Sequence, residues 1–265
     1  MSARVGRRGL ARLGMELSER DFQILHSVAR HRFLSAKQIE QLHFHEHASS
    51  LTAARVCRRV LARLVEQRVL ERLKHRVVGG LHAGSASHVY CLGPAGRRLR
   101  ADGDVRVARE PSQAFVEHTL DIADTHVRLR EAARAGAFEL LSVEVEPACW
   151  RRFLGTGGGR ETLRPDLYVI SARGEFEYCW FLEIDRGREG PSALQRKCRR
   201  YQSYRSSGKE QQRAGTFPLV VWVTPDNQRA RAVEKAIRSA RSLTQELFRV
   251  VSASELLHLF TGGLE

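Results

Sequence analysis

Apolar residues recur every three or four positions through three segments of the first seventy residues. The first segment follows Ser18 and the second, which is short, follows Ser35; both serines can cap a helix. The third segment is the longest and covers about 51–67. This spacing is typical of one face of an α-helix. The pattern therefore predicts three consecutive helices, of which the second is short.

The third predicted helix has two chemically different faces. Successive residues turn by about 100° around a helix, so its apolar residues, from Ala53 to Leu64, share one side. The arginines of the opposite side are Arg55, Arg58, Arg59 and Arg63. A solvated face usually mixes both signs of charge, whereas no acidic residue interrupts these arginines before Glu66. We interpret the face as one that meets DNA phosphates or guanine edges; the alternative is a solvated cationic face.

Alternating residues after the third helix predict a β-hairpin. A first strand around 74–78 leads to a glycine-containing tip, and a return strand covers 88–92. Three helices and a basic hairpin together predict a winged helix-turn-helix domain over 17–105. The basic residues of this part that we expect to bind DNA with the helix arginines are Lys74, Arg76, Arg97 and Arg98.

Basic residues are concentrated in the first part of the chain. The protein has 265 residues and a net charge of +14. Residues 1–110 hold 21 Lys and Arg against 10 Asp and Glu, a net charge of +11, whereas 111–265 hold 23 against 20, a net charge of +3. This asymmetry favours a polyanionic partner, which we expect to be double-stranded DNA. Because a winged helix that reads a palindrome is usually dimeric, we also expect a homodimer.

The N-terminal residues and the cysteines limit where the protein works. We expect 1–16, which is rich in arginine, to be a flexible basic arm. It lacks the apolar core of a secretory signal, and no stretch of the chain approaches the ~18 apolar residues of a membrane span. The five cysteines form no CxxC pair. We therefore expect a cytoplasmic protein without a membrane partner.

The rest of the chain alternates between helical and strand patterns. We expect a linker over 106–112 and a second domain over 113–265. The predicted order is helix, three strands, helix and strand, followed by a helix, a short strand and a last helix. Between the first two strands, a stretch with Trp150 and several glycines is predicted to be irregular. This order predicts an α/β domain with a mixed sheet, and an α+β chain as a whole.

Three carboxylates stand at strand ends in this second domain. Asp166 begins the second predicted strand, and Glu183 and Asp185 end the third. Residues two apart leave the same face of a strand, and neighbouring strands are about 4.8 Å apart, so the three can converge. Converging carboxylates would bind Mg²⁺ or Mn²⁺, which can activate water against a phosphodiester. The alternative is that the acids form ion pairs with nearby arginines, namely Arg164, Arg186 or Arg188.

Asp166 after Pro165, followed by Glu183-x-Asp185, resembles the motif of the PD-(D/E)XK nuclease superfamily, whose core is αβββαβ. The chain departs from the motif at Asp185, where the superfamily most often has lysine. Lys197, on the next predicted helix, could supply a migrated cation. If the domain is a nuclease, the resemblance implies catalytic roles for Asp166, Glu183, Asp185 and Lys197. It also implies Mg²⁺ or Mn²⁺ on the three carboxylates, whereas DNA binding alone requires no cofactor.

Over almost its whole length, the chain resembles the replication-relaxation family of plasmids and mobile elements. The segments that carry this resemblance are 31–35, 89–92 with Gly96, 118–121, 165–166, 181–187, Lys197 and Tyr201. The resemblance implies a bacterial DNA-binding protein, associated with the nucleoid or a plasmid. Such a protein would regulate replication, transfer or transcription through its winged helix. The alternative is a metal-dependent DNA endonuclease that the winged helix targets.

Overall fold

The structure is a computed structural model that describes residues 6–46, 49–73, 88–100, 111–155 and 157–262. The predicted strand with Lys74 and Arg76, and most of the predicted linker, lie outside these residues. The chain is α+β, as predicted, and its contacts divide it into two compact units, Met1–Val127 and Arg128–Glu265. None of the described helices is long and apolar enough to cross a membrane.

The first unit contains helices and a small antiparallel sheet. The helices that lie wholly in it are α1 (Arg7–Glu16), α2 (Glu19–His31), α3 (Ala36–His43), α4 (Ser50–Glu66) and α5 (Pro94–Leu99). The strands are β1 (Leu34–Ser35), β2 (Leu70–Arg72) and β3 (Val89–Leu92), in the order β1-β3-β2. Ser18 and Ser35 form capping boxes at the starts of α2 and α3, which confirms the predicted helix starts.

Helix α1 corrects the prediction of a flexible arm over 1–16. Its Leu13 is buried, and so is Leu17, the residue that follows the helix; Leu10 packs beside them in the core of the first unit. These leucines are three and four residues apart, so a helix brings them to one side. The arginine content concealed this stripe, because the basic residues occupy the solvent side of the same helix.

Helix α6 (Gln113–Arg134) crosses the division between the units, which falls after Val127. Its Ala123 and Val127 are buried in the core of the first unit. Gln38 on α3 donates a hydrogen bond to the Leu120 carbonyl oxygen at 2.8 Å. The units therefore divide inside the helix that the sequence pattern assigned wholly to the second domain.

The second unit is built on a five-stranded mixed sheet in the order β10-β9-β8-β7-β4. Its strands are β4 (Glu139–Val145), β7 (Leu167–Arg173), β8 (Phe176–Ile184), β9 (Leu219–Thr224) and β10 (Phe248–Ser252). Strands β4, β7 and β8 are antiparallel, whereas β8, β9 and β10 run parallel. The helices of this part are α7 (Pro191–Ser206), α8 (Lys209–Ala214), α9 (Asn227–Arg238) and α10 (Leu256–Phe260), with a 3₁₀ turn at Gln245–Leu247. The predicted mixed sheet is confirmed.

Two elements of the second unit were not predicted. The stretch expected to be irregular forms a hairpin of β5 (Arg151–Leu154) and β6 (Arg160–Leu163). Its alternation was concealed because one of the inward positions is a charged residue, Arg151. Helix α8 was missed for a similar reason, since its buried residue is Glu210 and it has no apolar stripe.

Candidate nucleic-acid interface and carboxylate cluster

Helix α4 exposes three arginines on the side away from the core. Cys57 and Leu61 are buried, and Ser49 caps the helix by accepting a hydrogen bond from the Thr52 backbone N–H. The exposed arginines are Arg55, Arg58 and Arg59, which we call the α4 arginine face. Within the described parts of the chain, no acidic side chain forms an ion pair with any of them. Their positive charge is therefore available to a partner outside the protein.

The fourth predicted arginine of this helix has a partner inside the protein. Arg63 Nη2 lies 2.7 and 2.8 Å from the two carboxylate oxygens of Asp21, which is only 1% exposed. Burial opposes ionisation of Asp21, but hydrogen bonds from Arg63 and Ser18 outweigh it, and the pKa of Asp21 is lowered. Arg63 thus ties α4 to α2, so we leave it out of the α4 arginine face.

The other residues predicted to bind DNA lie after α4. Arg97 and Arg98 are half-buried residues of α5, and Arg97 donates a hydrogen bond to the Leu92 carbonyl oxygen. Lys74 and Arg76 belong to a segment that the structure does not describe. A role in DNA binding stays a prediction for all four residues.

Asp166, which directly precedes β7, and Glu183, near the end of β8, lie on adjacent segments at the same end of the sheet. The Asp166 backbone N–H donates to the Leu182 carbonyl oxygen at 3.1 Å. Asp166 Oδ2 accepts a hydrogen bond from the Ile184 backbone N–H at 2.7 Å, so its carboxylate spans the end of β8. Both acids are buried, and Glu183 is completely inaccessible to solvent. The predicted approach of these two carboxylates is therefore present.

Helix α7 supplies the groups that hold Glu183. Lys197 Nζ lies 2.6 Å from Glu183 Oε2, and the Tyr201 hydroxyl donates to Oε1. Lys197 and Tyr201 are four residues apart, which brings both to one side of the helix. Lys197 Nζ also lies 5.3 Å from the centroid of the Trp222 ring. Lys197, which the sequence suggested as a migrated cation, therefore forms an ion pair with Glu183.

The charges of this cluster are strongly coupled. Burial raises the pKa of Glu183 to about 7, although the nearby Lys197 ammonium lowers it. Burial of Lys197 disfavours its charge, yet Glu183 and Asp166 outweigh this effect and raise the pKa of the lysine above its usual value. Lys197 is therefore charged at neutral pH, and Glu183 is an acid that titrates there.

Asp185 has a partner of its own. Arg229, at the start of α9, donates from Nε to Asp185 Oδ2 at 2.5 Å and from Nη2 to Oδ1 at 3.0 Å. The same Nη2 reaches the Glu189 carbonyl oxygen at 2.7 Å. The expected ion-pair alternative thus holds for Asp185, but with an arginine that lies 44 residues away in the chain. Sequence spacing carried no signal for Arg229.

The three carboxylates do not form a metal site as they are arranged. Asp166 accepts a backbone N–H, Glu183 is held by an ammonium and a phenol, and Asp185 is held by a guanidinium. In the residues that the structure describes, no group of three or more His, Cys, Asp and Glu side chains could hold a metal ion. Hard cations need oxygen ligands, and two cationic side chains compete for these oxygens. The donor set as it stands does not fit Mg²⁺ or Mn²⁺.

Comparison with known proteins identifies the family of this chain. No curated protein and no solved structure matches it. The family model of replication-relaxation proteins matches residues 25–220. The match begins within α2 and ends within β9, and it includes α4, Asp166, Glu183 and Lys197. Because this match covers well over half of the sequence, the protein belongs to the replication-relaxation family.

Proposed function

We propose that this protein binds double-stranded DNA through the α4 arginine face and regulates replication in this way. One observation carries the proposal: Arg55, Arg58 and Arg59 are exposed on a single helix without an acidic partner in the described residues. Membership of the replication-relaxation family supports a role related to replication. Regulation of the replication, transfer or transcription of a plasmid or mobile element is the specific role that we infer.

The shape of the first unit supports the same interface. An α-helix fits the major groove of B-DNA, where arginine can bind phosphates and the acceptor edge of guanine. The order of elements is α2, β1, α3, α4, β2 and β3, and the three strands form one antiparallel sheet. This order is typical of winged helix-turn-helix proteins. We infer that α4 is the helix that enters the groove, and that two copies of the chain bind a palindromic site.

Salt-dependent binding tests this proposal. The α4 variant carries Arg55→Ala, Arg58→Ala and Arg59→Ala, and its affinity for a fluorescein-labelled DNA duplex is measured by anisotropy at several salt concentrations. Each lost phosphate contact makes the negative slope of log K against log salt shallower by about 0.9, so we expect its magnitude to decrease by up to about 2.7. Because guanidinium groups need no cofactor, binding by the unmodified protein should persist in EDTA.

A matched variant removes the same charge elsewhere. Arg231, Lys235 and Arg238 form an exposed basic stripe on α9, and their replacement by alanine should leave the slope unchanged. If the α4 variant binds as tightly as the unmodified protein, with the same slope, the proposal is wrong. An equal loss in both variants would also contradict it, since net charge alone would then explain the binding.

A second candidate function is DNA cleavage by the second unit. It is favoured by one observation, the approach of Lys197 Nζ to Glu183 beside Asp166, which resembles the acid–acid–lysine set of the nuclease motif. Two features argue against cleavage. Arg229 neutralises Asp185, and the donor set does not fit a divalent cation. We therefore place DNA binding first.

A nicking assay separates the two functions. Supercoiled plasmid is incubated with Mg²⁺ or Mn²⁺ and either the unmodified protein or the Asp166→Ala variant. We expect no nicking by either, since the carboxylates are held by protein donors. Nicking that the variant loses would establish cleavage, whereas equal nicking by both proteins would indicate a contaminating nuclease.

A further inference from the structure

The β5–β6 hairpin has a solvent face that carries basic side chains. Arg152 pairs with Thr162, and Leu154 pairs with Arg160. Because side chains alternate along a strand, these four residues share one face of the hairpin, and their neighbours Arg151 and Phe153 turn inward. Arg152, Leu154 and Arg160 are exposed. The hairpin therefore presents two arginines on a surface that the core does not use.

Lys209, at the start of α8, completes a groove beside this face. A cavity of about 440 Å³ is lined by hairpin residues, including Arg152, Arg160 and Glu161, and by Lys209. We call this the hairpin groove. Arg152, Arg160 and Lys209 are exposed, and none forms an ion pair within the part of the chain that the structure describes. Glu161 is the acidic residue of its lining, so the groove has an excess of positive charge.

A buried ion pair fixes the backbone beside two of these cations, Arg152 and Lys209. Arg151 Nε lies 3.1 Å from Glu210 Oε2, and Arg151 Nη2 lies 2.9 Å from Glu144 Oε2. Glu210 is fully buried and also accepts hydrogen bonds from Tyr204 and Arg213. The Arg151 guanidinium rests 4.8 Å from the centroid of the Tyr168 ring. This cluster anchors the inward side of the hairpin to α8.

The anchor also determines which outward side chains line the groove. Arg152 follows Arg151 in the chain, and Lys209 precedes Glu210, so the pair between Arg151 and Glu210 brings Arg152 and Lys209 to the same groove. A backbone that is fixed before binding loses less conformational freedom when an anion arrives. A cluster of cations without ion-pair partners favours a ligand with closely spaced negative charges.

We propose that the hairpin groove is a second contact for the DNA backbone, which binds phosphates through Arg152, Arg160 and Lys209. The inference rests on the proposed function, because it takes the same ligand. A two-stranded β-ribbon can lie against a DNA groove, and phosphate contacts position a protein without reading sequence. The hairpin groove therefore adds affinity to every duplex equally, whereas α4 supplies any preference for a site.

The test uses the full chain and the DNA duplex described above. The groove variant carries Arg152→Ala, Arg160→Ala and Lys209→Ala. We expect the magnitude of the slope of log K against log salt to fall by up to about 2.7, with the same loss of affinity for two unrelated duplexes. The α9 stripe variant is the matched control, because it loses the same charge from the same unit. Circular dichroism verifies that each variant is folded.

A single substitution provides a test in the opposite direction. Glu161→Gln removes the negative charge from the groove lining, so the variant should bind DNA more tightly and with unchanged sequence preference. Misfolding would weaken binding and could not produce this gain. Unchanged affinity in both the groove variant and Glu161→Gln would overturn the inference.

The outcomes distinguish this inference from the proposed function. Loss of binding in the α4 variant alone supports the α4 interface and overturns the hairpin groove. Loss in the groove variant alone supports the hairpin groove and overturns the α4 interface. An equal loss in the α9 stripe variant overturns the groove as a specific contact, and no binding by the unmodified protein at low salt overturns both proposals.

Discussion

Asp21 is a buried carboxylate whose ionised form is stabilised by two residues of the first unit. Hydrogen bonds from Ser18 and Arg63 outweigh the effect of burial and lower its pKa below the usual value of 3.8. A carboxyl with a lowered pKa stabilises the folded state above its unfolded pKa, and this contribution disappears as the pH falls through the folded pKa. The capping box and the link to α4 therefore depend on an ionised Asp21.

Replacement of Asp21 by asparagine should lower stability in a pH-dependent manner. We expect Asp21→Asn to lose about 1–2 kcal/mol of unfolding free energy at pH 7, because charge-assisted hydrogen bonds are lost and Arg63 is partly solvated. The deficit should shrink as the pH falls below 3.8, which urea unfolding over a pH series would measure. Glu19→Gln is the control, since Glu19 is exposed on the same helix. A constant deficit at every pH would contradict the assigned role of the charge.

Glu183 has the opposite pH dependence. Its pKa rises on folding from 4.5 to about 7, so its contribution to stability is present below 4.5 and is lost as the pH rises through about 7. Lys197 limits this loss because it pairs with the ionised carboxylate at 2.6 Å. A protein without this ammonium would bury an unpaired anion in alkaline solution.

The Lys197→Met variant should therefore be most unstable at high pH. We expect a loss of about 3 kcal/mol at pH 8, where Glu183 must either ionise without a partner or stay protonated although it would be ionised in the unfolded chain. The loss should be smaller at pH 5, where a protonated Glu183 costs little. Thermal unfolding at both pH values measures the difference. The Glu183→Gln/Lys197→Met double variant should remove the pH dependence, because no charge is then left unpaired. An equal loss at pH 5 and pH 8 would show that the lysine acts through packing alone.

At the scale of the element, α5 lies against the chain that leads into β2 because Gly96 has no side chain. A Cβ at Gly96 would lie 2.1 Å from the Val69 carbonyl oxygen, closer than real atoms approach. Gly96→Ala should therefore destabilise the first unit by about 1–3 kcal/mol, since backbone must move. Chemical denaturation measures the change in unfolding free energy.

Gly14 in α1 is the matched glycine. The nearest atom to a Cβ there is Leu99 Cδ2 at 3.6 Å, an ordinary contact. Gly14→Ala should be neutral or stabilise the protein by up to about 1 kcal/mol, because alanine favours a helix. If both variants have the same stability, the close approach at Gly96 is not what holds α5 in place.

The elements that the sequence predicted are those whose pattern is local. Helices α2 and α3 begin directly after their N-cap residues Ser18 and Ser35, as predicted, because a cap bonds to a backbone N–H only three residues away. The hairpin and α8 were missed because Arg151 and Glu210 occupy inward positions as an ion pair. In the sequence, two charged residues that form a buried ion pair cannot be distinguished from two residues exposed to solvent.

The candidate site shows the same limit. Strand-end spacing and the nuclease-like motif indicated Asp166, Glu183 and Lys197, and the structure groups them. The spacing also predicted that Asp185 would join the other carboxylates, but Arg229 on α9 pairs with it instead. Periodicity tells which face a side chain leaves, whereas the group it meets depends on how distant elements pack.

At the scale of the whole molecule, the first unit includes part of a helix that continues into the second. The buried apolar residues that α6 contributes to this unit are Val116, Leu120, Ala123 and Val127. Burial of one large aliphatic side chain stabilises by about 1.5–3 kcal/mol, so removal of several would cancel the 5–15 kcal/mol of a typical domain. The predicted domain end, near residue 105, would therefore cut away part of the core.

Two fragments of the chain test this division. A fragment of residues 6–112 lacks α6, whereas 6–134 keeps the whole helix. We expect only the longer fragment to unfold cooperatively on heating and to resist limited proteolysis, because Gln38 and the core of the first unit need their partners on α6. Substitution of Leu120 by alanine in the full chain should cost about 2–5 kcal/mol through the same contacts. If the shorter fragment unfolds cooperatively at the same temperature as the longer one, α6 is not part of the first unit, and the core ends where the sequence pattern placed it.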